Sequence, residues 1–268
     1  MKKNNSKNIV FVTGAFIGNN CWDEWSTYFE SKGYKTIAPP WPFKDATVQE
    51  LRNRRPNDTD LAELTLKELI EHYAHIVESF PEKPIVIGHS IGGLITQILV
   101  NRDLTAAGVA IHSFPPHGIF PYEFNFLWAG RNALGLFTSQ KETYMMSFKD
   151  WQFAFTNGMS LEEQKKGYEE FSIPESKTVV RGGLTSATKV DFDKKQAPLL
   201  ITSGDNDHSI PAHINLRNFH KYEGNGSLVE YKEFPGRNHF VLKQPTWKED
   251  ADYILDWLDY QDLDNNVM

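Results

Sequence analysis

Cysteine is almost missing from this 268-residue chain. The single one, Cys21, excludes an internal disulfide, so the fold must hold by burial alone. That usage is compatible with a reducing compartment, and a cytoplasmic protein is expected. No window approaches the ~20 consecutive apolar residues that a spanning helix needs, so no membrane span is expected. The run Ile9-Val10-Phe11-Val12 follows Met1-Lys2-Lys3, but Thr13 and Gly14 break it and no small-residue cleavage site comes after. It reads as a first strand rather than a secretion signal. Basic clusters are also scarce. Only Arg52-Asn53-Arg54-Arg55 stands out against a net charge of −7, so neither nucleic acid nor an anionic membrane is the expected partner. A phosphate-cradling loop is missing too, because Gly14-x-x-x-Gly18 fails the dinucleotide spacing. His112 and His117 have no carboxylate or cysteine at ligand spacing, so neither a metal nor a cofactor is expected.

What the chain does contain is a regular alternation. Ile9 to Thr13, Lys35 to Ala38, Ile85 to Gly88, Ala107 to His112, Pro198 to Gly204 and Ser227 to Phe234 are short apolar or β-branched runs bounded by Gly or Pro. Between them lie segments with apolar residues at helical spacing: 22–32, 61–80, 91–102 and 247–258. Near-continuous apolar strands alternating with amphipathic helices predict an α/β fold, a mostly parallel sheet covered on both faces. The length suits one such core with an insertion and is too short for two catalytic domains. From Pro115 to Lys195 the alternation lapses and aromatics crowd in, among them Phe120, Phe124, Phe126, Trp128, Phe137, Tyr144, Trp151 and Phe155. A block of about 80 residues is too long for a structureless loop, so it should form helices of its own. It is expected to be a cap over residues 115–194, with the core in 1–114 and 195–268. Most of these aromatics should fill the cap's own interior. Trp128 and Trp151 are candidates for the substrate-facing surface. Residues 262–268 read as a disordered tail.

The most specific signal is Pro84-Ile85-Val86-Ile87-Gly88-His89-Ser90-Ile91-Gly92-Gly93. A strand that reverses into a helix within one residue crowds its neighbours, so the positions two before and two after must be nearly bare. Gly88 and Gly92 meet that need. The turn lifts Ser90 Oγ off the sheet and sets the Ile91 amide at a helix N-terminus, where it can donate to a developing oxyanion. Ser90 is therefore the candidate nucleophile.

A serine hydroxyl needs a neutral imidazole as base and a carboxylate to fix that imidazole's tautomer. Nine histidines are available. In an open parallel sheet the partners should follow the carboxyl ends of later strands. Two loops qualify: Asp205-Asn206-Asp207-His208 and Pro235-Gly236-Arg237-Asn238-His239. His239 is the candidate base and Asp207 the candidate acid, with Asp205 the open alternative. His89 and His208 adjoin other site residues, and His72 and His75 fall on a surface helix. All four read as structural or solvated.

In order and context, Gly88-His89-Ser90-Ile91-Gly92-Gly93, then Gly204-Asp205-Asn206-Asp207 with Pro211, then Asn238-His239-Phe240 resemble the signature segments of the α/β-hydrolase fold family. The resemblance spans nearly the whole chain outside the aromatic block. It implies a cap inserted after the strand at 107–112, a sheet of six strands lacking the family's two leading ones, and an oxyanion donor in the loop after the first strand. Many members carry His-Gly-X there, and this chain has Thr13-Gly14-Ala15. By position the donors are the amides of Ala15 and Ile91, with Phe16 the competing donor and also a candidate to touch substrate. The expected activity is cofactor-free cleavage of an ester or related acyl bond of an apolar small molecule, by a monomer or homodimer. A lactonase or carbon-carbon bond hydrolase using the same three residues is the alternative, with Arg131 or Arg181 as conceivable carboxylate anchors, although a plain salt-bridge role suits each better. A slow-turnover ligand-binding protein on this scaffold is the reading from another class.

Overall fold

Ile9 to Val12 lie fully buried in β1 (Asn8–Val12), the second strand of a six-stranded sheet in a computed structural model that describes residues 6–135 and 138–264. The others are β2 (Lys35–Ile37), β3 (Ile85–His89), β4 (Ala107–Ile111), β5 (Leu199–Gly204) and β6 (Val229–Phe234), in the order β2-β1-β3-β4-β5-β6. Every pairing is parallel, with Val12 opposite Gly88, His89 opposite Ile111, and Ile111 opposite Thr202. The central strands are buried along their whole length, whereas edge strand β6 reads Val-Glu-Tyr-Lys-Glu-Phe and is mostly half exposed. That contrast is what two covered faces and an open edge require.

The strand order reverses between β1 and β3. In such sheets the crevice for a ligand opens at this reversal, beyond the carboxyl ends of the strands. The loop after β1 and the turn after β3 are therefore the two walls of the expected site.

Helices α1 (Asp23–Ser31), α4 (Leu66–Glu78), α5 (Ile91–Asn101), α10 (Ala212–Lys221) and α11 (Trp247–Asp264) belong to the sheet layer, together with two short helices, α2 (Val48–Arg54) and α3 (Thr59–Glu63). The sequence predicted one helix over 61–80, but the chain breaks at Leu64-Thr65 and restarts. Thr65 caps α4, accepting the Glu68 amide while Glu68 reaches back to the Thr65 amide. This reciprocal cap creates a helix start inside a continuous apolar period. Helix α10 has no counterpart among the expected elements, because its apolar positions are few. Of the tail read as disordered, residues 262–264 continue α11 and 265–268 lie outside the described residues, as does Phe137.

Between β4 and β5 the chain forms α6 (Phe124–Leu134), α7 (Phe148–Ala154), α8 (Leu161–Phe171) and α9 (Lys177–Gly182). These helices close over the carboxyl end of the sheet. Gly18 N–H donates to Phe171 O at 2.9 Å, Phe240 N–H to Phe155 O at 3.0 Å, and Ile17 bridges Ser172. Among the described residues, no helix is long and apolar enough to cross a membrane.

Candidate active site

Ser90 sits between β3 and α5 with φ 57° and ψ −118°, a conformation that L residues seldom adopt. The surrounding contacts show why glycine is needed. A Cβ on Gly88 would lie 2.1 Å from Gly92 O, and one on Gly92 would lie 2.0 Å from Val12 O. Neither position could hold a larger residue without moving backbone. The strain is held in place by packing and by the Ser90 N–H to Ile111 O bond of 3.0 Å, as expected of a side chain posted for function.

The residues proposed from sequence meet there. Ser90 Oγ lies 3.0 Å from His239 Nε2, and His239 Nδ1 lies 2.7 Å from Asp207 Oδ2. All three are buried. Asp205 makes a different contact: its Oδ1 accepts the Gly236 amide at 2.6 Å and ties the two strand-end loops together. Geometry thus brings Asp207, not Asp205, to the imidazole. Burial pushes the Asp207 carboxyl up, but the charge of His239 and hydrogen bonds from His112 and His239 outweigh it and hold the group below the ordinary carboxylate range. Asp207 is thus ionised and can only accept, so His239 carries its proton on Nδ1 and leaves Nε2 free to take the Ser90 proton.

The wall opposite the elbow is the loop after β1. The Gly14 backbone lies against Ser90, since a Cβ there would come within 2.9 Å of the Ser90 Cβ. Phe16 (φ 68°) donates its amide to Glu175 Oε2 at 3.2 Å. Ala15 and Ile91 donate their amides to nothing among the described residues. Of the two candidates in this loop, Ala15 is therefore the free donor. Glu175 is buried and paired with buried Lys44, whose ammonium sits 3.7 Å from the Trp41 ring centre, and Trp41 Nε1 donates to Thr13 O at 3.0 Å. A buried ion pair thus supports the loop from behind. Sequence reasoning missed it, for nothing in the spacing of Lys44 and Glu175 links them.

Ser90, Ile91, Ala15, Phe16 and His239 open onto one cavity of about 80 Å³. Its remaining lining is largely apolar: Phe114, Met146, Phe155, Val180, Leu184 and the inward face of α6, with Ser209 the other hydroxyl. Phe16 lines it as expected, but the two tryptophans do not. Trp128 is 44% exposed, on the outward face of α6, stacked on Phe124 beneath Arg131. Trp151 is fully buried one layer back, stacked on Phe155 with ring centres 4.6 Å apart. Helical phase decides both placements, and aromatic content alone could not reveal it. Arg131 pairs with Asp150 at 2.8 Å, and Arg181 donates to Leu134 O at 2.6 Å, so both are spent in holding the helices together.

Two further histidines join the site. His89, read from sequence as structural or solvated, packs its ring 4.7 Å from that of His239, and burial with the neighbouring imidazoles keeps it unprotonated. His112 Nδ1 lies 2.8 Å from Asp207 Oδ2. His112 follows a strand end, the same signal that singled out Asp207 and His239. His112, Asp207 and His239 bring ligand-type atoms within 4.8 Å of one another, but those atoms are spent on mutual hydrogen bonds. His117 lies outside this group.

Residues 9–250 match the profile of the alpha/beta hydrolase family. The chain belongs to that family. Among curated proteins it is 29% identical over 134 residues to norfluorocurarine synthase 1 from Strychnos nux-vomica, a match spanning 47% of each protein. The chain thus aligns with about half the length of that relative. Among solved structures it is similar to a monoacylglycerol lipase from Paleococcus ferrophilus, with TM-score 0.65, 21% identity, and 95% and 94% of the two chains covered. It is similar too to a methylesterase from Arabidopsis, with TM-score 0.64, 15% identity, and 94% and 99% covered. These likenesses agree on the fold that the sheet order displays.

Proposed function

We propose that this protein is a serine hydrolase that cleaves a carboxylic ester of an apolar small molecule through an acyl-enzyme on Ser90. The observation that carries the reading is the hydrogen-bonded line from Ser90 Oγ through His239 to Asp207, opening on an apolar cavity. His239 Nε2 takes the Ser90 proton as Oγ bonds to the carbonyl carbon. The Ala15 and Ile91 amides receive the oxyanion, and Asp207 stabilises the imidazolium. His239 then protonates the departing alkoxide. Water, deprotonated by the same nitrogen, releases the acid and restores Ser90.

Substrate class follows from the lining. Among the described residues no Lys, Arg, Asp or Glu lines the cavity, and Arg131 and Arg181 are occupied elsewhere, so a substrate carrying a carboxylate finds no cationic anchor there. This favours neutral esters over the acidic substrates of a carbon-carbon bond hydrolase. The relatives named a lipase and a methylesterase are consistent with ester cleavage, while one named a synthase shows that the family does not fix the bond. Residues 115–194 act in this reading as a cap on a core formed by 1–114 and 195–268.

The test is steady-state hydrolysis of p-nitrophenyl esters of rising chain length beside a lactone and a diketone. Esters should be turned over fastest, and Ser90→Ala should lose about 10⁴-fold or more in kcat. Ser90→Ala retaining activity would remove the proposed nucleophile, and a preference for the diketone would move the reading to carbon-carbon cleavage. A stoichiometric burst without turnover would identify a ligand-binding protein.

A further inference from the structure

Asp207 serves two imidazoles. Its Oδ2 accepts the Nδ1–H of His239 at 2.7 Å and that of His112 at 2.8 Å, while Oδ1 accepts the Ile210 amide at 2.8 Å. Activating Ser90 requires only the first. His112 is fully buried just beyond β4, its φ is 46°, and its Nε2 has no partner among the described residues. A buried ring nitrogen without a partner is uncommon, and a positive φ outside glycine persists where the surroundings impose it. Both features accompany the delivery of one N–H to Asp207. The ionised carboxylate can only accept, so each ring carries hydrogen on Nδ1.

We propose that His112 is a positioning residue, whose Nδ1–H fixes the Asp207 carboxylate and shares its charge, tempering the basicity of His239. The inference rests on Ser90 being the nucleophile. A carboxylate serving His239 alone would stabilise the imidazolium more strongly and keep the base protonated to higher pH. Division of Oδ2 between two donors leaves His239 available as a base at lower pH. The other titratable groups near His112 are His89, at the end of β3 with ring centres 6.4 Å apart, and Asp250, which is paired with Arg237. Asp207 is the one in hydrogen-bond contact.

Two substitutions separate donation from bulk. His112→Ala removes the donor, whereas His112→Asn retains an N–H and is among the residues most tolerant of positive φ. The readouts are the pH dependence of Ser90 labelling by a fluorophosphonate and of kcat/KM for a p-nitrophenyl ester. Labelling needs only an activated serine, so it reports whatever the natural substrate. In His112→Ala the acidic limb should move up by roughly half a pH unit or more, and His112→Asn should restore it. A folded His112→Ala whose limb does not move overturns the proposal, as does a folded His112→Asn displaced equally. If His112→Ala fails to fold, the ring nitrogens of ¹⁵N-histidine-labelled wild type decide the matter by NMR. The proposal requires His112 to be protonated on Nδ1 and bare on Nε2, and the opposite tautomer refutes it. Wild type unlabelled at Ser90 overturns both this and the reading it rests on, while labelling without ester turnover overturns only the substrate class.

Discussion

His89 is buried beside Ser90, its ring packed 4.7 Å from that of His239. Burial and the adjacent imidazoles hold it neutral, well below the ordinary value of 6.5. An unfolded chain releases that restraint and takes up a proton below about pH 6.5. The folded state binds fewer protons there, so stability present above that pH falls as pH drops, by about 1.4 kcal/mol per unit for one such group. His89→Phe should flatten the decline of urea-derived stability between about pH 6.5 and 5 by one proton's worth. An unchanged slope would mean that His89 charges freely in the fold. Asp207 adds to the same trend further down. Its carboxyl is held below the usual range, so its contribution is complete above about pH 4 to 5 and is lost in stronger acid.

The loop after β1 and helix α6 form two sides of the cavity, and each can be tested as an element. The loop rests on Glu175, which receives the Phe16 amide and pairs with Lys44 in the interior. Glu175→Gln leaves a buried ammonium without its counter-charge and should cost about 3–5 kcal/mol by denaturant unfolding. Replacing both residues by apolar ones should recover much of that loss. A single-variant loss below about 1 kcal/mol would show the pair to be dispensable. Helix α6 turns Phe126, Ala129, Gly130 and Ala133 to the cavity. A Cβ on Gly130 would meet only Leu134 Cδ1 at 3.8 Å, so Gly130→Leu should fold normally while filling acyl space. Octanoyl ester kcat/KM should fall about ten-fold and acetyl ester kcat/KM stay nearly constant. Equal losses on both would place the acyl chain elsewhere.

At the scale of the whole molecule, the strand pattern carried most of the architecture, because the central parallel strands are near-continuous apolar runs and all six expected runs, the more polar edges included, are strands of the sheet. Ser90, Asp207 and His239 were legible for a related reason: sheet topology dictates where side chains converge, and each follows a strand end. Two kinds of feature escaped. The Thr65–Glu68 cap is local but interrupts a helix whose apolar period runs on, whereas the Lys44–Glu175 pair joins segments far apart in sequence and the facing of Trp128 and Trp151 depends on how the inserted helices dock. The strand order reverses between β1 and β3, so the loop after β1 and the turn after β3 both reach the cavity lined by Ala15, Ser90, Ile91 and His239, the residues to which the proposed roles of nucleophile, base and oxyanion donor fall. The central claim is that this crevice forms a covalent acyl-enzyme. Intact-protein mass spectrometry during rapid-quench reaction with a p-nitrophenyl ester addresses it directly. One acyl group should appear on the wild type within the burst, map to the peptide containing Ser90, and be missing from Ser90→Ala. Turnover with no adduct in the burst, or an acyl group on another residue, would contradict the account.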